Sequence, residues 1–402
     1  MLELEDAVER ILSVLPQGGI ETVPLSGARQ RVLAEGLFAP INLPVFDNSA
    51  MDGYAVRAED VRTANSKSPV ALHVIGRVAA GEMFSGDVVP GTCVRLFTGS
   101  PLPKGADAVL MQEDTVADDA DSGRILCLDA VKPWENVRLQ GEDIKTGVSI
   151  GQKGNVISPQ LLGLIAALGV NEVTVGRRPV VGLLATGSEL VEPGQPLPPG
   201  KIYESNRQML APLLEQGGAI PRVYPLVVDS SSATQAALEK ALCECDLVVT
   251  SGGVSVGEMD FVKSAFEQLG GNLQFWKVSI KPGRPFVFGR CGEKFLFGLP
   301  GNPVSAFVTF LLLVRPALRY WQGASITGLR TQQGILDEPL SNSGDRRHFV
   351  RVTINGAGRV HSAGVQASHM LGSLAEANGL VDIPPKTILP AETVVPVMQW
   401  EL

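Results

Sequence analysis

Apolar residues recur with two different spacings along this chain, one typical of helices and one of short strands. Residues 4–15 place their apolar side chains on one helical stripe, which Pro16 ends. A second helix is predicted between Ser158, a suitable N-cap residue, and Gly169. Between residues 41 and 140 the apolar runs are short and are separated by Gly, Pro and Asp turns, which predicts a β-rich module.

Strands and helices alternate within residues 177–322. This alternation predicts a parallel sheet with helices on both faces. After Gly323 the pattern returns to short strands with Gly and Asn turns, which predicts a small β domain. The predicted strands of the α/β region are residues 180–184, 222–228, 247–250 and 295–299, and its predicted helices are residues 205–216, 233–243 and 261–269.

The composition of the chain excludes several classes of protein. Its 402 residues predict two to four domains, at roughly 100–200 residues per domain. With 34 basic and 42 acidic residues the formal net charge is −8, and we expect no nucleic-acid partner. Five cysteines are too few for a disulfide framework, and Cys243 and Cys245 lack the neighbouring ligands of a zinc site.

Membrane and export signals are not evident in the sequence. The longest apolar run, residues 306–314, ends at Arg315 and is shorter than a bilayer span. The N-terminal residues are acidic and helical, and they lack the basic start of a signal peptide. We therefore expect no membrane association and a cytoplasmic location.

The sharpest chemical signal lies in residues 246–269. A β-branched run ending at Thr250 is followed by a turn with Gly252, Gly253 and Gly257, and then by an amphipathic helix. A glycine turn that leads into a helix exposes main-chain N–H groups, which bind anions. Ligands of open parallel sheets bind beyond the carboxyl ends of the strands. Four turns are candidates for that edge: TGSEL (186–190), SGGVS (251–255), KPGRP (281–285) and LPGNP (299–303).

Taken singly, each of these turns is an ordinary loop, so the hypothesis of an anion site depends on their meeting at one edge. KPGRP precedes a strand, which leaves its edge of the sheet open. In LPGNP, Asn302 is suited to cap a helix that Pro303 opens. The charged residues near the turns would hold Mg²⁺ and balance the anion, with Glu189, Asp229 and Asp260 as oxygen ligands and Lys277, Lys281 and Arg284 as cations.

A serine-hydrolase site is the main alternative. Residues 253–257 match the G-x-S-x-G pattern of a nucleophile elbow around Ser255, and His348, His361 and His369 follow downstream. All three histidines lie in the predicted C-terminal β domain, and a nucleophile elbow normally lacks the Ser-Gly-Gly lead-in found here. The anion-binding hypothesis is therefore favoured.

A second set of polar turns lies in the β-rich module. Residues 48–55 read NSAMDGYA, in which Gly53 permits a positive φ and Asp52 carries a carboxylate. Residues 97–99 and 105–108 form similar turns. On physical grounds alone these are polar turns, and nothing in them connects the module to the α/β region.

Three motifs in a fixed order connect the two regions through a family resemblance. With NSAMDGYA (48–55), SGGVSVGEMD (251–260) and LPGNPVSA (299–306), the chain resembles the molybdopterin molybdenumtransferases, the MoeA-like enzymes related to the E domain of gephyrin. The resemblance extends over nearly the whole length. Matching segments include residues 44–60, 97–114, 138–147, 185–194, 202–210, 251–263, 281–289 and 298–310.

The resemblance implies an enzyme that inserts molybdenum from molybdate into adenylylated molybdopterin. Hydrolysis of the adenylate with Mg²⁺ would release AMP and the molybdenum cofactor. A homodimer is also implied, with an active site shared between subunits, so that Asp52 and Thr98 of one face Glu189, Asp229 and Asp260 of the other. Transient contacts with the molybdopterin adenylyltransferase and with apo-molybdoenzymes would follow.

The implied fold is a multidomain α/β plus β architecture. A central doubly wound α/β molybdopterin-binding domain would be joined by a β-rich N-terminal module, an elongated helix-containing linker domain and a small C-terminal β-barrel. The expected boundaries are residues 1–43 and 141–176 for the linker and dimerisation domain, 44–140 for the module, 177–322 for the α/β domain and 323–402 for the barrel.

The resemblance also assigns roles to individual residues. Asp52, Glu189, Asp229 and Asp260 are expected to be catalytic, and the last three of these to bind the metal. The expected substrate-binding residues are Thr98, Thr186, Gly187, Ser251, Gly252, Gly253, Ser255, Lys277, Lys281, Arg284, Pro300, Gly301, Asn302, Pro303, Arg346, Arg351 and Ser368.

The chain departs from the family pattern at four positions. Arg284 stands where lysine is common, Glu204 where aspartate is frequent, Ser230 where a second aspartate is frequent and His348 where an acid is frequent. The role of Glu204 is therefore open.

Two further alternatives are an adenylyltransferase or pyrophosphatase that shares only the α/β domain, and a scaffold protein. The β-rich module and the C-terminal β domain argue against the first, and the lack of a linker or an attached second domain argues against the second.

Overall fold

Residues 1–253 and 261–400 are described by a computed structural model, in which the chain divides into two units. The first unit comprises Met1–Glu35, Lys153–Ser158 and Glu172–Leu402, and the second comprises Gly36–Gln152 and Pro159–Asn171. The division into four domains stays a prediction.

A six-stranded sheet forms the centre of the first unit. The strand Val287–Cys291 runs antiparallel to both of its neighbours, and the other neighbouring pairs are parallel. The expected α/β fold is present, with two strands that the sequence pattern did not predict, Asn272–Trp276 and the antiparallel Val287–Cys291. In sheet order the strands are Ile220–Val223, Val180–Ala185, Leu247–Ser251, Lys294–Leu299, Val287–Cys291 and Asn272–Trp276.

The predicted strand 222–228 is wrong at both ends. It begins at Ile220 and ends at Val223. As an edge strand it tolerates Pro221, and its pairing ends with the bond from Tyr224 N to the Leu183 carbonyl at 3.0 Å, just before Pro225. Further along, Val227 still makes a single parallel bridge to Thr186. This bridge brings the next loop to the carboxyl end of the neighbouring strand.

Helices cover both faces of the central sheet. Alternate strand residues point to opposite sides, so that Leu183 and Val249 enter one buried cluster while Leu184 and Val248 enter another. The first cluster includes residues from the helices Leu4–Val14, Asn206–Gln216, Pro303–Thr309 and Arg315–Trp321, and the second includes residues from the helices Ser231–Glu244 and Phe261–Gln268.

One helical segment of the described chain is long and apolar enough to cross a membrane. It spans the 19 residues Pro303–Trp321, and its middle, Phe310–Val314, is π-helical. The helix is thus longer than the apolar run 306–314 that it contains. Because 89% of its most apolar window is buried inside the protein, the segment is a core helix.

A closed five-stranded barrel follows the α/β sheet, as the resemblance implied. The strand Arg347–Ile354 closes it by pairing with both Arg359–Ser362 and Gly379–Ile383. The short strand Ile280–Lys281 also pairs with Arg347–Ile354, so the barrel is joined to the KPGRP segment. Around the barrel the strands are Arg347–Ile354, Arg359–Ser362, Arg330–Leu336, Val394–Gln399 and Gly379–Ile383.

Smaller elements complete the first unit. Two of its strand pairs are antiparallel, and the pair next to the TGSEL turn is parallel. These elements are the 3-10 helix Leu25–Gly27, the helix Leu371–Glu376, and the strand pairs Ile20–Pro24 with Glu172–Gly176, Leu190–Val191 with Ile202–Tyr203, and Leu340–Asn342 with Thr387–Leu389.

The second unit is built on another six-stranded sheet, which confirms the β-rich module. Two short strand pairs flank it, Leu37–Phe38 with Ser149–Gly151 and Asn48–Ser49 with Val137–Arg138. Its helices are Ala58–Val61, the 3-10 helix Gln112–Asp114 and the predicted Pro159–Ala167. In sheet order the strands are Ala108–Met111, Gly53–Val56, Thr92–Leu96, Val70–Val78, Arg124–Cys127 and Thr115–Ala117.

Candidate functional site

Three of the four predicted turns begin side by side at one edge of the central sheet. Their strands are adjacent and parallel, with Ala185 paired to Ser251 and Ser251 paired to Leu299. The N–H of Thr186 donates to the Ser251 carbonyl at 3.1 Å, and that of Gly252 donates to the Leu299 carbonyl at 3.1 Å. The turns TGSEL, SGGVS and LPGNP therefore leave the sheet from neighbouring carboxyl ends.

The KPGRP loop lies at the same edge, which answers the question that the sequence left open. Trp276 pairs with Val287, and Val287 pairs with Gly298, close to the end of the LPGNP strand. The intervening loop is closed by hydrogen bonds from Lys277 N to Phe286 O at 2.9 Å and from Val278 N to Arg284 O at 3.1 Å. Its cations are therefore carried to the edge where the glycine turns meet.

Two glycine conformations at this edge exclude larger residues. Gly252 and Gly253 have φ values of +88° and +67°, in the left-handed region that disfavours side chains. A Cβ on Gly252 would lie 2.7 Å from the Thr186 carbonyl oxygen. A Cβ on Gly301 would lie 3.7 Å from the Gly252 Cα, so these two turns are in contact.

Asn206 joins two of the turns, and the sequence did not single it out. Its Nδ2 donates to Ser251 Oγ at 2.7 Å and to the Gly301 carbonyl at 2.7 Å. The residue is only 9% exposed, and Oδ1 has no hydrogen-bond partner among the described residues. Asn206 therefore fixes the spacing of the SGGVS and LPGNP turns. The only sequence signal was its place in IYESNRQML, at the start of a helix.

Glu204, whose role the sequence left open, has a structural partner. It is 2% exposed and accepts hydrogen bonds from Arg207 N at 2.8 Å and Arg207 Nε at 3.1 Å. Arg207 also donates to the Tyr224 carbonyl at 2.6 Å. Because these bonds surround the start of the helix Asn206–Gln216, they hold Asn206 in place.

Asp229 and the TGSEL turn are bonded to each other. Asp229 Oδ2 accepts from the N–H of Ser188 at 2.8 Å, and the N–H of Asp229 donates to Ser188 Oγ at 2.9 Å. The N–H of Gly187 donates to the Val227 carbonyl at 3.1 Å. These bonds hold the Asp229 carboxylate beside the turn that carries Glu189.

The described carboxylates provide only part of a ligand set for a hard cation. Asp229 and Glu189 supply oxygen donors on two bonded turns, and Asp229 Oδ1 accepts no hydrogen bond from a described residue. Asp260, the third predicted ligand, lies outside the described residues. Within residues 1–253 and 261–400, no cluster of three His, Cys, Asp or Glu side chains is placed to hold a metal ion. Two carboxylates completed by substrate oxygens are nevertheless compatible with Mg²⁺.

Lys277 shares an aromatic surface with a lysine that the sequence did not single out. Lys277 Nζ lies 3.7 Å from the centre of the Trp276 ring, and Lys263 Nζ lies 3.5 Å from it. Contacts of this kind are favourable. The ring thus gathers two positive charges beside the KPGRP loop.

The barrel brings Ser368 to the LPGNP turn. Asn302 occupies the N-cap position of the helix Pro303–Thr309, but its side chain makes no capping hydrogen bond, contrary to our expectation. Its Nδ2 instead donates to Ser368 Oγ at 3.2 Å, and the N–H of Val304 donates to the Ser368 carbonyl at 3.2 Å. The Pro303 that opens the helix is at the predicted position.

Positive charge collects where the barrel meets the KPGRP loop. Arg346 Nη1 donates to the Ile280 carbonyl at 2.8 Å, and Lys281 pairs with His348 in the sheet register. Burial, and then the charges of Lys281, Arg351 and Arg346, lower the pKa of His348 to about 4. His348 is therefore neutral at pH 7, which leaves the neighbouring cations without an added charge.

Arg351 is fully buried rather than directed to solvent. Its Nη2 donates to the Val365 carbonyl at 2.7 Å and to Ser373 Oγ at 2.9 Å. Its Nε and Nη1 have no partner in the described part of the chain, and burial lowers its pKa. These contacts give Arg351 a supporting position under the segment that leads to Ser368, and direct contact with substrate stays a prediction.

The N-terminal pair of predicted site residues is found in the second unit. Asp52 Oδ1 accepts from the N–H of Thr98 at 2.7 Å and from Thr98 Oγ1 at 2.8 Å. These two hydrogen bonds lower the pKa of Asp52. The carboxylate is thus kept ionised and oriented. Ser255, like Asp260, lies outside the described residues.

Three family models match the chain one after another. The MoeA N-terminal region (domain I and II) matches residues 2–169, a probable molybdopterin binding domain matches residues 182–320, and the MoeA C-terminal region (domain IV) matches residues 333–400. A molybdopterin molybdenumtransferase from Haemophilus influenzae is 39% identical over 386 residues, which are 94% of this chain and 93% of the relative. This chain belongs to the MoeA family.

Other MoeA proteins agree in length and fold. Molybdopterin molybdenumtransferase 2 from Mycobacterium tuberculosis is 41% identical over 369 residues and is covered to 90%, as is this chain. The crystal structure of the molybdopterin biosynthesis MoeA protein from Pyrococcus horikoshii is 33% identical, with a TM-score of 0.83 and 100% coverage of both chains. The resemblance and the fold class are confirmed, and the match to all three MoeA regions argues against a relative that shares only the α/β domain.

Proposed function

We propose that this chain is a molybdopterin molybdenumtransferase that inserts molybdenum from molybdate into adenylylated molybdopterin. Hydrolysis of the adenylate would release AMP and the molybdenum cofactor. One observation carries the proposal: the turns TGSEL, SGGVS, KPGRP and LPGNP meet at one edge of the α/β sheet in a chain of the MoeA family.

The chemistry of the reactants supports this assignment. Molybdate and the phosphates of adenylylated molybdopterin are all anions, and an acidic protein of net charge −8 can bind them only through local donors. Gly253 and Gly301 would offer main-chain N–H groups, because those of Gly187 and Gly252 are already bonded within the edge. Lys277, Lys281 and Arg284 would offer charge. Thr186, Gly187, Ser251, Gly252, Gly253 and the residues 300–303 would line the phosphate-binding edge.

The acidic residues would serve the hydrolysis of the adenylate. Glu189, Asp229 and Asp260 would hold Mg²⁺, which neutralises phosphate charge and activates water when bound. Asp229 is oriented by its two bonds with Ser188, and Asp52 by its two bonds from Thr98. We infer a homodimer in which Asp52 and Thr98 of one subunit complete the active site of the other.

Contacts outside the active site form part of the same proposal. The adenylylated substrate would arrive from a molybdopterin adenylyltransferase, and the product would leave to an apo-molybdoenzyme, each through a transient contact in the cytoplasm. Barrel residues Arg346, Arg351 and Ser368 would support the anion from the KPGRP and LPGNP side.

The assay that tests the proposal mixes the protein with adenylylated molybdopterin, molybdate and Mg²⁺ and measures both AMP and molybdenum cofactor. The expected result is release of equal amounts of the two products. Asp260→Asn and Asp229→Asn should each reduce product formation by at least a hundredfold while the thermal melting temperature stays close to that of the wild type. Absence of AMP release from the wild-type protein would refute the function.

A matched control is available for the charge substitutions. Glu239 is exposed on the helix Ser231–Glu244, and Glu239→Gln also removes one negative charge from the α/β unit. This variant should retain wild-type activity.

The dimer is tested separately by light scattering at micromolar concentration, where the mass of a single chain would contradict a shared active site.

A further inference from the structure

Three side chains form a row across the sheet of the second unit. Tyr54 is paired with Arg95 on the neighbouring antiparallel strand, and Arg95 is paired with Arg77 on the next, parallel strand. Paired residues point to the same face of a sheet. Phe97 joins the row, because the guanidinium carbon of Arg77 lies 4.8 Å, and that of Arg95 5.2 Å, from the centre of its ring.

The two paired arginines place like charges side by side on neighbouring strands, and each also contacts the Phe97 ring. Like charges directly opposite each other on neighbouring strands are destabilising. Within the described ranges, neither guanidinium has a carboxylate oxygen within 4.0 Å, whereas Arg124 of the same sheet forms an ion pair with Asp118. Arg95 donates only to neutral oxygens, those of Gly53 and Gln112. An anionic ligand would remove this repulsion.

An open, shallow surface cavity of about 640 Å³ lies in front of the row. Tyr54, Arg77, Arg95 and Phe97 line it, together with the apolar side chain of Ile75. This volume falls within the range of small-molecule sites, roughly 300–1,000 Å³. Arginine planes and aromatic rings that face one cavity can stack on a flat ring while the guanidinium groups bind phosphate.

The cavity adjoins the predicted catalytic pair of this unit. Phe97 is the residue before Thr98, and Tyr54 follows Asp52 by two residues. After the two Thr98 hydrogen bonds, the charge of Arg95 also lowers the pKa of Asp52. A ligand held on the arginine row would therefore extend toward the Asp52 carboxylate.

We propose that the Tyr54–Arg95–Arg77 row binds a planar heterocycle that carries a phosphate. The inference rests on the proposed function and deepens it, because the substrate contains two such groups, the adenylate and the pterin phosphate. Stacking on Phe97 and Tyr54 would hold the ring, and Arg77 and Arg95 would hold the phosphate. The row is thus a recognition site for one half of the substrate.

Binding of AMP and of neopterin monophosphate to the full-length protein, measured by titration calorimetry, tests the proposal. At least one of the two should bind, and Arg77→Gln and Arg95→Gln should each weaken that binding at least tenfold. Binding of AMP alone assigns the row to the adenylate, and binding of neopterin monophosphate alone assigns it to the pterin; either result supports the proposal. The matched control is Arg62→Gln, an exposed arginine of the same unit whose ion pair with Glu59 lies outside the cavity, and it should leave the affinity unchanged.

Photolabelling locates the bound ligand independently of affinity. With 8-azido-AMP, or an azido derivative of the pterin if that is the ligand bound, the label should be recovered on peptides containing Tyr54 or Phe97. The proposal is overturned if all label lies elsewhere, if neither compound binds, or if both arginine variants bind like the wild type. It is also overturned if an acidic peptide binds the row and neither compound does.

The failure of this inference is distinguishable from the failure of the proposed function. Wild-type protein that forms cofactor and AMP while the arginine variants bind and react normally would remove the row from substrate recognition and leave the function standing. Wild-type protein without AMP release would refute the function itself. At the same ligand concentration, a variant that binds tenfold more weakly should also show a smaller ligand-induced rise in melting temperature than the wild type.

Discussion

Both donors of Thr98, the backbone N–H and the side-chain hydroxyl, converge on a single oxygen of Asp52. Replacement of Thr98 by valine keeps the backbone N–H and the shape of the side chain but removes the hydroxyl donor. In Thr98→Val the pKa of Asp52 should therefore rise toward its ordinary value, though not reach it, and product formation should fall at least tenfold. Carboxyl ¹³C NMR titration measures the pKa.

Thr98→Ser keeps both donors and should resemble the wild type; a valine variant with an unchanged pKa would remove the hydroxyl from this role.

Removing the Asn206 amide should loosen the anion-binding edge. Asn206→Ala loses both 2.7 Å bonds and leaves Ser251 and Gly301 without this donor. We expect a loss of roughly 1–3 kcal/mol in the free energy of unfolding and a larger KM for adenylylated molybdopterin. Urea unfolding and steady-state kinetics measure these two quantities.

Gln208→Ala is the control for this substitution. Gln208 is exposed on the same helix, so its replacement should change neither quantity. If Asn206→Ala and Gln208→Ala had equal stability and equal KM, Asn206 would not position the turns.

Glycine-to-alanine substitutions should act in opposite directions at two sites. Gly252→Ala places a Cβ 2.7 Å from the Thr186 carbonyl oxygen at a φ of +88°, so it should lower the free energy of unfolding by about 1–3 kcal/mol and abolish substrate binding. Gly163 lies in the helix Pro159–Ala167, and a Cβ added to it would meet no atom within 4 Å. Gly163→Ala should stabilise the protein by about 0.4–1 kcal/mol.

Chemical unfolding and a substrate-binding titration measure both glycine variants. The two variants share the same chemical change, so the comparison isolates backbone conformation. Unimpaired binding by Gly252→Ala would mean that the SGGVS turn does not approach the ligand.

His348 should make the stability of the protein depend on pH. Burial and the charges of Lys281, Arg351 and Arg346 lower its pKa from 6.5 to about 4, so the unfolded chain takes up the proton first as the pH falls. The stability from neutral His348 is full above pH 6.5 and is lost as the pH falls from there toward about 4. This loss is at most on the order of 3 kcal/mol, at about 1.36 kcal/mol for each unit of pKa.

Urea unfolding at pH 4.5 and pH 7 measures this dependence. His348→Gln, which cannot take up a proton in this range, should reduce the difference in stability between the two pH values. The exposed His73 is the control, and His73→Gln should leave the difference unchanged. An equal difference in the wild type and in His348→Gln would show that other groups control it.

Local patterns predicted most of the secondary structure because each depends on neighbouring residues. The N-terminal helix, the helix after Ser158 and the three central parallel strands lie within two residues of their predicted positions. The hairpin that contains Asn272–Trp276 and Val287–Cys291 was missed. The KPGRP loop between its strands was assigned as a turn before a strand rather than as the connection between two strands.

The sequence predicted the site residues that belong to recognisable motifs and missed the others. The glycine turns were found because glycine is required where the backbone has a positive φ. Asn206 was not found because its partners Ser251 and Gly301 are 45 and 95 residues away, and no local pattern contains such a distance. Arg351 was assigned through the family resemblance, but its burial depends on the closing of the barrel around it.

The strands Leu37–Phe38 and Ser149–Gly151 pair with each other at the two ends of residues 39–148, which form most of the second unit. Main-chain pairing thus holds the two ends of this segment together, whatever the number of residues between them. We therefore expect an insertion or deletion within residues 39–148 to leave the flanking backbone in place.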